Sequence, residues 1–164
     1  MRARRSLLAG IVAAILVTAP LVAQFRPTAE PPPQLIGTWR LVVAKSKYSP
    51  GPPPRSETRV YRRQSDGVHG VVTRVLADGK TQKFEYTANF GQDIVVTGIA
   101  DYDRVTLRKV DELTSDAVLS HAGNVYGVAR RTVAQDGRSM TITFDRKNTD
   151  QRIHNVAVYE RVGD

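Results

Sequence analysis

The stretch Asp136-Gly137-Arg138-Ser139-Met140-Thr141-Ile142-Thr143-Phe144-Asp145 decides the fold. Asp-Gly is a strong hairpin signal, because the tightest two-residue turns need positive φ at both central positions. After the turn, Met140, Ile142 and Phe144 alternate with Thr141, Thr143 and Asp145. Successive side chains of a strand point to opposite faces, so this run is a strand with one apolar and one polar face. Before it lies a Val/Tyr-rich run over 125–134, entered through the turn Ala122-Gly123-Asn124. After it, the looser turn Lys147-Asn148-Thr149-Asp150 leads to a last run over 153–162.

The same pattern extends back to Leu35. Asp66-Gly67 and Asp78-Gly79 repeat the hairpin signal, and Asn89-Phe90-Gly91 is a looser turn. The intervening runs predict further strands at 36–44, 57–64, 68–76, 81–88, 94–99, 104–110 and 116–121. Trp39, Leu41 and Val43 share a face of the first, and Phe84 and Tyr86 share a face against Lys83, Glu85 and Thr87. Short alternating strands between closely spaced turns mark an all-β sandwich or barrel. A meander of hairpins favours an antiparallel up-and-down β-barrel of about ten strands, because closure removes exposed edges. A barrel of that size encloses room for a small ligand. A sandwich pressed face to face would not.

Composition narrows the chemistry. The 164 residues contain no cysteine, which excludes disulfides, zinc–thiolate sites, thiol nucleophiles and cysteine-linked lipid. Basic residues number 24 against 16 acidic. Arg2, Arg4 and Arg5 precede an apolar run from Leu7 to Val17, and Leu21-Val22-Ala23 ends in a small residue. A basic start, a short apolar core and a small residue at the end read as a secretory signal over residues 1–23. The rival reading is an uncleaved anchor, for which Leu7 to Ala23 stands at the short limit. Loss of that leader removes three basic residues and no acid, leaving an excess of about five positive charges. An exported chain with so mild an excess predicts no nucleic-acid partner and at most weak contact with acidic envelope surfaces. Residues 24–34, with Pro27 and Pro31-Pro32-Pro33, read as a proline-rich linker.

Gly37-Thr38-Trp39 on the first strand and Val158-Tyr159-Glu160-Arg161 on the last resemble the calycins, which include the lipocalins and fatty-acid-binding proteins. Together with Ala44-Lys45-Ser46-Lys47-Tyr48-Ser49-Pro50-Gly51-Pro52 and the late Gln135-Asp136-Gly137 turn, they make the chain similar to bacterial exported lipocalin-like proteins of unknown function. The resemblance implies a lipocalin-like β-barrel domain over residues 35–164. It also implies a structural plug, in which Gly37 and Trp39 meet a late basic residue, here Arg161, with Arg131 or Arg130 as alternatives. A guanidinium over an indole gains cation–π attraction. Two features depart from the fatty-acid-binding proteins. Pro50, Pro52, Pro53 and Pro54 occupy the place of their helical lid, where helices cannot form. Their last-strand Arg-x-Tyr carboxylate anchor corresponds here to Ala157 and Tyr159.

In a barrel, inward side chains make both core and ligand wall. Phe84, Tyr86, Phe144 and Tyr159 are the candidate ligand-binding aromatics. Arg131 shares a predicted face with Val125, Gly127, Ala129 and Val133, where it would hold an anionic head group; the opposite register turns Arg130 inward with Tyr126 and Val128. His69, His121 and His154 fall on separate strands without metal-ligand spacing, so neither a metal nor a haem is expected. Asp101-Tyr102-Asp103 and Asp111-Glu112 are too short for a calcium loop. Serine stands in no nucleophile elbow, and no glycine-rich phosphate loop follows a strand, so the reading is not an enzyme and has no cofactor. The expected function is an exported, periplasmic or secreted, binding protein for a small hydrophobic or anionic amphipathic molecule. The alternative is an envelope structural or interaction protein without stored ligand, using Lys45, Lys47 and Arg55 at the barrel rim.

Overall fold

The computed structural model describes residues 30–65, 67–147 and 151–163. The stretch read as a secretory signal, most of the stretch read as a linker, Asp66, residues 148–150 and the final residue lie outside these. Eleven strands are described: β1 Gly37–Leu41, β2 Lys47–Ser49, β3 Ser56–Gln64, β4 Gly67–Val75, β5 Thr81–Ala88, β6 Asp93–Val95, β7 Arg104–Lys109, β8 Thr114–His121, β9 Asn124–Val133, β10 Ser139–Lys147 and β11 Arg152–Val162. Ten of them form one antiparallel sheet in the order β5-β4-β3-β1-β11-β10-β9-β8-β7-β6, with β2 paired to β11 off that path. The end strands meet where Glu85 and Thr97 exchange two backbone hydrogen bonds of 3.2 and 3.3 Å. The sheet is therefore a nearly closed barrel, compatible with a calycin-like fold. Among the described residues no helix is long and apolar enough to cross a membrane.

Departures from the sequence pattern have local causes. The first strand ends at Leu41, where Val43–Lys45 winds into a 3-10 turn. The chain then rejoins the same side of β11 as β2, with Val156 opposite Lys47. The strand pattern predicted no strand at this position. Predicted strand 94–99 shrinks to Asp93–Val95; Gly98 takes positive φ, and Ile99, Asp101 and Tyr102 beyond it line the bore. At Asp78-Gly79 and Asp136-Gly137 only the glycines have positive φ. The aspartates contribute differently: Asp78 and Asp136 carboxylates accept the N–H of Lys80 and Arg138 at 2.9 Å. Both central residues are positive at Ala122-Gly123 instead.

The core matches the apolar faces of the strands. Trp39, Leu41, Val72, Phe84 and Met140 are all buried. Val43, expected on the inner face of the first strand, has left it for the 3-10 turn. The pairing of β8 with β9 slips between Leu119 and Ser120, so that Leu119 faces Gly127 and Ser120 faces Val125. Tyr126 is the extra residue of this bulge. Val125, read as inward, is 68% exposed, and Tyr126 takes its place on the bore.

The residues read as a plug lie together at one end of the barrel. The Arg161 guanidinium lies 4.6 Å over the Trp39 ring. Its Nε and Nη1 donate to the carbonyls of Gly137 and Ile36 at 2.6 Å, and Nη2 donates to Gln34. The Trp39 indole N–H donates to the Leu35 carbonyl at 2.8 Å. Gly37 is required beside them, since a Cβ there would run into the Arg161 guanidinium. Pro31 and Leu35 are fully buried, so the last residues of the proline-rich stretch pack on this closed end.

Candidate functional site

Above the plug the bore stays hollow. A cavity of about 390 Å³ runs from the level of Arg131 to a mouth at Pro50, Pro52 and Pro54. At roughly 30 Å³ per liquid water, that is the space of about 13 waters. Its volume is in the range of small-molecule pockets.

All five residues read as ligand-binding line this cavity: Phe84, Tyr86, Arg131, Phe144 and Tyr159. The ambiguity of register at β9 resolves for Arg131. Its neighbour Arg130 points outward, where Nε and Nη2 hold both oxygens of Asp116 at 2.7 and 3.0 Å. Arg130 holds the Asp116 carboxyl down at about 2, with Arg108 adding to the effect. Two glycines make room for the aromatics. A Cβ at Gly70 would fall 2.8 Å from the Tyr86 ring, and one at Gly127 would fall 2.6 Å from Phe144.

Four rings follow one another along the cavity wall. Phe84 meets Tyr102 edge-on at 6.2 Å, Tyr102 meets Tyr126 at 5.8 Å, and Tyr126 meets Phe144 at 6.1 Å. Arginines flank both ends of this chain, Arg74 5.1 Å from Phe84 and Arg146 4.1 Å from Tyr126. Burial pushes the Tyr102 hydroxyl up to about 12, so it remains a neutral hydrogen-bond donor.

The wall formed by β3 and β4 is polar, which the apolar pattern did not foretell. Glu57 is only 2% exposed. Its Oε1 accepts from Arg59 Nε at 2.6 Å and from the Tyr159 hydroxyl at 2.7 Å. Arg74 Nε stands 3.1 Å from Oε2. That N–H is not aligned on the oxygen and makes no hydrogen bond, so the pair is held by charge alone. Burial works to raise the Glu57 pKa, but Arg59, Arg74 and the Tyr159 hydrogen bond outweigh it and keep the carboxylate ionised. Burial and the neighbouring Glu57 charge keep the Tyr159 phenol neutral, despite the opposing pull of Arg59.

Tyr61 lies between two guanidiniums. Arg59 Nη1 is 3.5 Å from its hydroxyl, and Arg131 is 5.2 Å from its ring. Burial opposes ionisation of Tyr61, yet Arg59 and Arg131 bring its pKa below the usual phenol range. Tyr86 beside it moves the other way, through burial and the charge that Tyr61 would carry.

Glu57, Arg59, Tyr61 and Arg74 were not singled out from sequence. One signal was present: Glu57, Arg59 and Tyr61 alternate with Thr58 and Val60, so they share a face. The ordinary rule would turn such a charged face outward.

The other candidates sit apart from the bore. His69 is 3.3 Å from Thr87, His154 pairs with Asp145 at 2.8 Å, and His121 is exposed. Among the described residues no three acids or histidines are grouped to hold a metal ion. Lys45 pairs with Glu160 at 2.8 Å, Arg55 donates to the Ala77 carbonyl, and Lys47 is exposed. Comparison of the chain with protein-family models, curated proteins and solved structures returns no match.

Proposed function

We propose that this protein is an exported, lipocalin-like binding protein that carries one small hydrophobic or amphipathic molecule in its bore. The observation that supports it best is the cavity of about 390 Å³ with aromatic side chains along its wall and the Trp39–Arg161 pair at one end of the barrel. Apolar concave sites with a few placed polar groups are the usual design for binding small molecules. The Gly37, Trp39 and Arg161 plug and the resemblance to bacterial lipocalin-like proteins agree with the reading. The leader-like residues 1–23 are the ground for export.

Native mass spectrometry of protein taken from its natural host tests the proposal. One co-purifying apolar or amphipathic molecule is expected, and the Ala129→Phe variant, which fills the bore from its wall, should lose it while melting normally. A protein that comes out empty from several extracts, or a filled variant that keeps the molecule, overturns the proposal. The empty result would favour the scaffold alternative with its exposed rim charges.

A further inference from the structure

Arg131 is an unusual group to leave in such a wall. It is 9% exposed, and among the described residues its guanidinium makes no hydrogen bond and no ion pair. Its one neighbour of note is the Tyr61 ring. A buried charge without a partner is strongly unfavourable, and arginine is rarely buried alone. The nearest carboxylate network does not serve it, because Glu57 is already committed to Arg59, Arg74 and Tyr159. The buried wall thus holds three guanidiniums against one carboxylate. Asp101, the other acid on the cavity, is exposed at the mouth.

The position of Arg131 is also informative. It borders both the open bore and a void of about 10 Å³ at the closed end, where Val133 is buried below it. It therefore stands at the floor. Ser115, directly across from it on β8 and also buried, offers a hydroxyl at the same level. Ile142, across from it on β10, shares that level, and above lie Ala129 and Ala117, then the aromatic rings. On the opposite wall Arg59 and Arg74 share Glu57, so Arg131 is the one lining guanidinium left without a carboxylate among the described residues.

We infer that the bound molecule carries a terminal oxyanion, a carboxylate or a phosphate, seated on Arg131 at the floor with its apolar body pointing to the mouth. This rests on the proposal that the bore holds a ligand and adds its chemical class and orientation. Arginine's planar fork suits a two-oxygen contact with either group.

The test is calorimetric titration with decanoate, decyl phosphate and decan-1-ol. The proteins are the native chain, Arg131→Gln and the outward-facing control Arg130→Gln. A charge-assisted contact predicts about ten- to a hundredfold tighter binding of an oxyanion than of the alcohol. Arg131→Gln should bring the oxyanion to the level of the alcohol, and Arg130→Gln should leave the preference intact. The better-bound oxyanion identifies the group. Equal binding of alcohol and oxyanions by the native protein, or a preference that survives in Arg131→Gln, overturns the inference while leaving a ligand-binding bore. Failure of all three probes to bind the native protein overturns the binding proposal itself. Removing an unpaired charge should not lower the melting temperature. Should Arg131→Gln fail to fold, the neutral Arg131→Met replaces it; loss of oxyanion preference with unchanged alcohol binding supports the inference, and full retention opposes it.

Discussion

Neutralising Glu57 is the sharpest perturbation of the bore. Glu57→Gln keeps the volume and an acceptor for Tyr159, but removes the charge that Arg59 and Arg74 share. Breaking a buried ion pair by removing one partner costs about 3–5 kcal/mol, because the other charge is left unpaired. The Arg59 and Arg74 side chains retain 14% and 24% exposure, so the lower end, about 3 kcal/mol, applies. Some 130 ordered residues unfold with an entropy near 0.3 kcal/mol/K, so the melting temperature should fall by about 10 °C. Circular dichroism melts at neutral pH give the number. Asp116→Asn, on the outer face, is the matched control and should change stability by less than about 1 kcal/mol. The pH dependence supplies a second check. The Glu57 pKa is lowered on folding, so its contribution is complete above its unfolded value of 4.5 and is lost as pH falls toward the folded value. The difference in stability between native protein and Glu57→Gln should therefore shrink below pH 4.5. A fall of less than about 2 °C at neutral pH, or a difference independent of acid, would refute this account of the network.

Two other substitutions probe the plug and the wall. Arg161→Ala removes donors to Gly137, Ile36 and Gln34 and uncovers Trp39, for an expected loss of about 3 kcal/mol. Trp39 is the only tryptophan, so a red shift of intrinsic fluorescence reports the closed end alone; unchanged emission and melting would dismiss the plug. Gly70→Ala puts a methyl against the Tyr86 ring and should destabilise by about 1–3 kcal/mol, measured by urea denaturation. A neutral result there would mean that Tyr86 moves freely and does not form a fixed wall.

The barrel was legible in the sequence because its information is local. Alternation set which side chains of β1, β5 and β10 face inward, and positive-φ glycines placed the hairpins. Trp39 and Arg161 were paired only through the resemblance to calycins, and the pairing of first and last strands sets them side by side. The aromatic candidates followed from the same alternation. The polar bore was not legible, and β3 shows why. Its Glu57, Arg59 and Tyr61 face inward against the usual polarity rule, a choice that depends on Arg74 and Tyr159 arriving from β4 and β11. Likewise Tyr126 reaches the bore through a bulge that exists only in the pairing of β8 with β9. Periodicity along one strand determines its two faces. Which face can bear a buried charge is decided by partners distant in the chain, and so by the closed sheet alone.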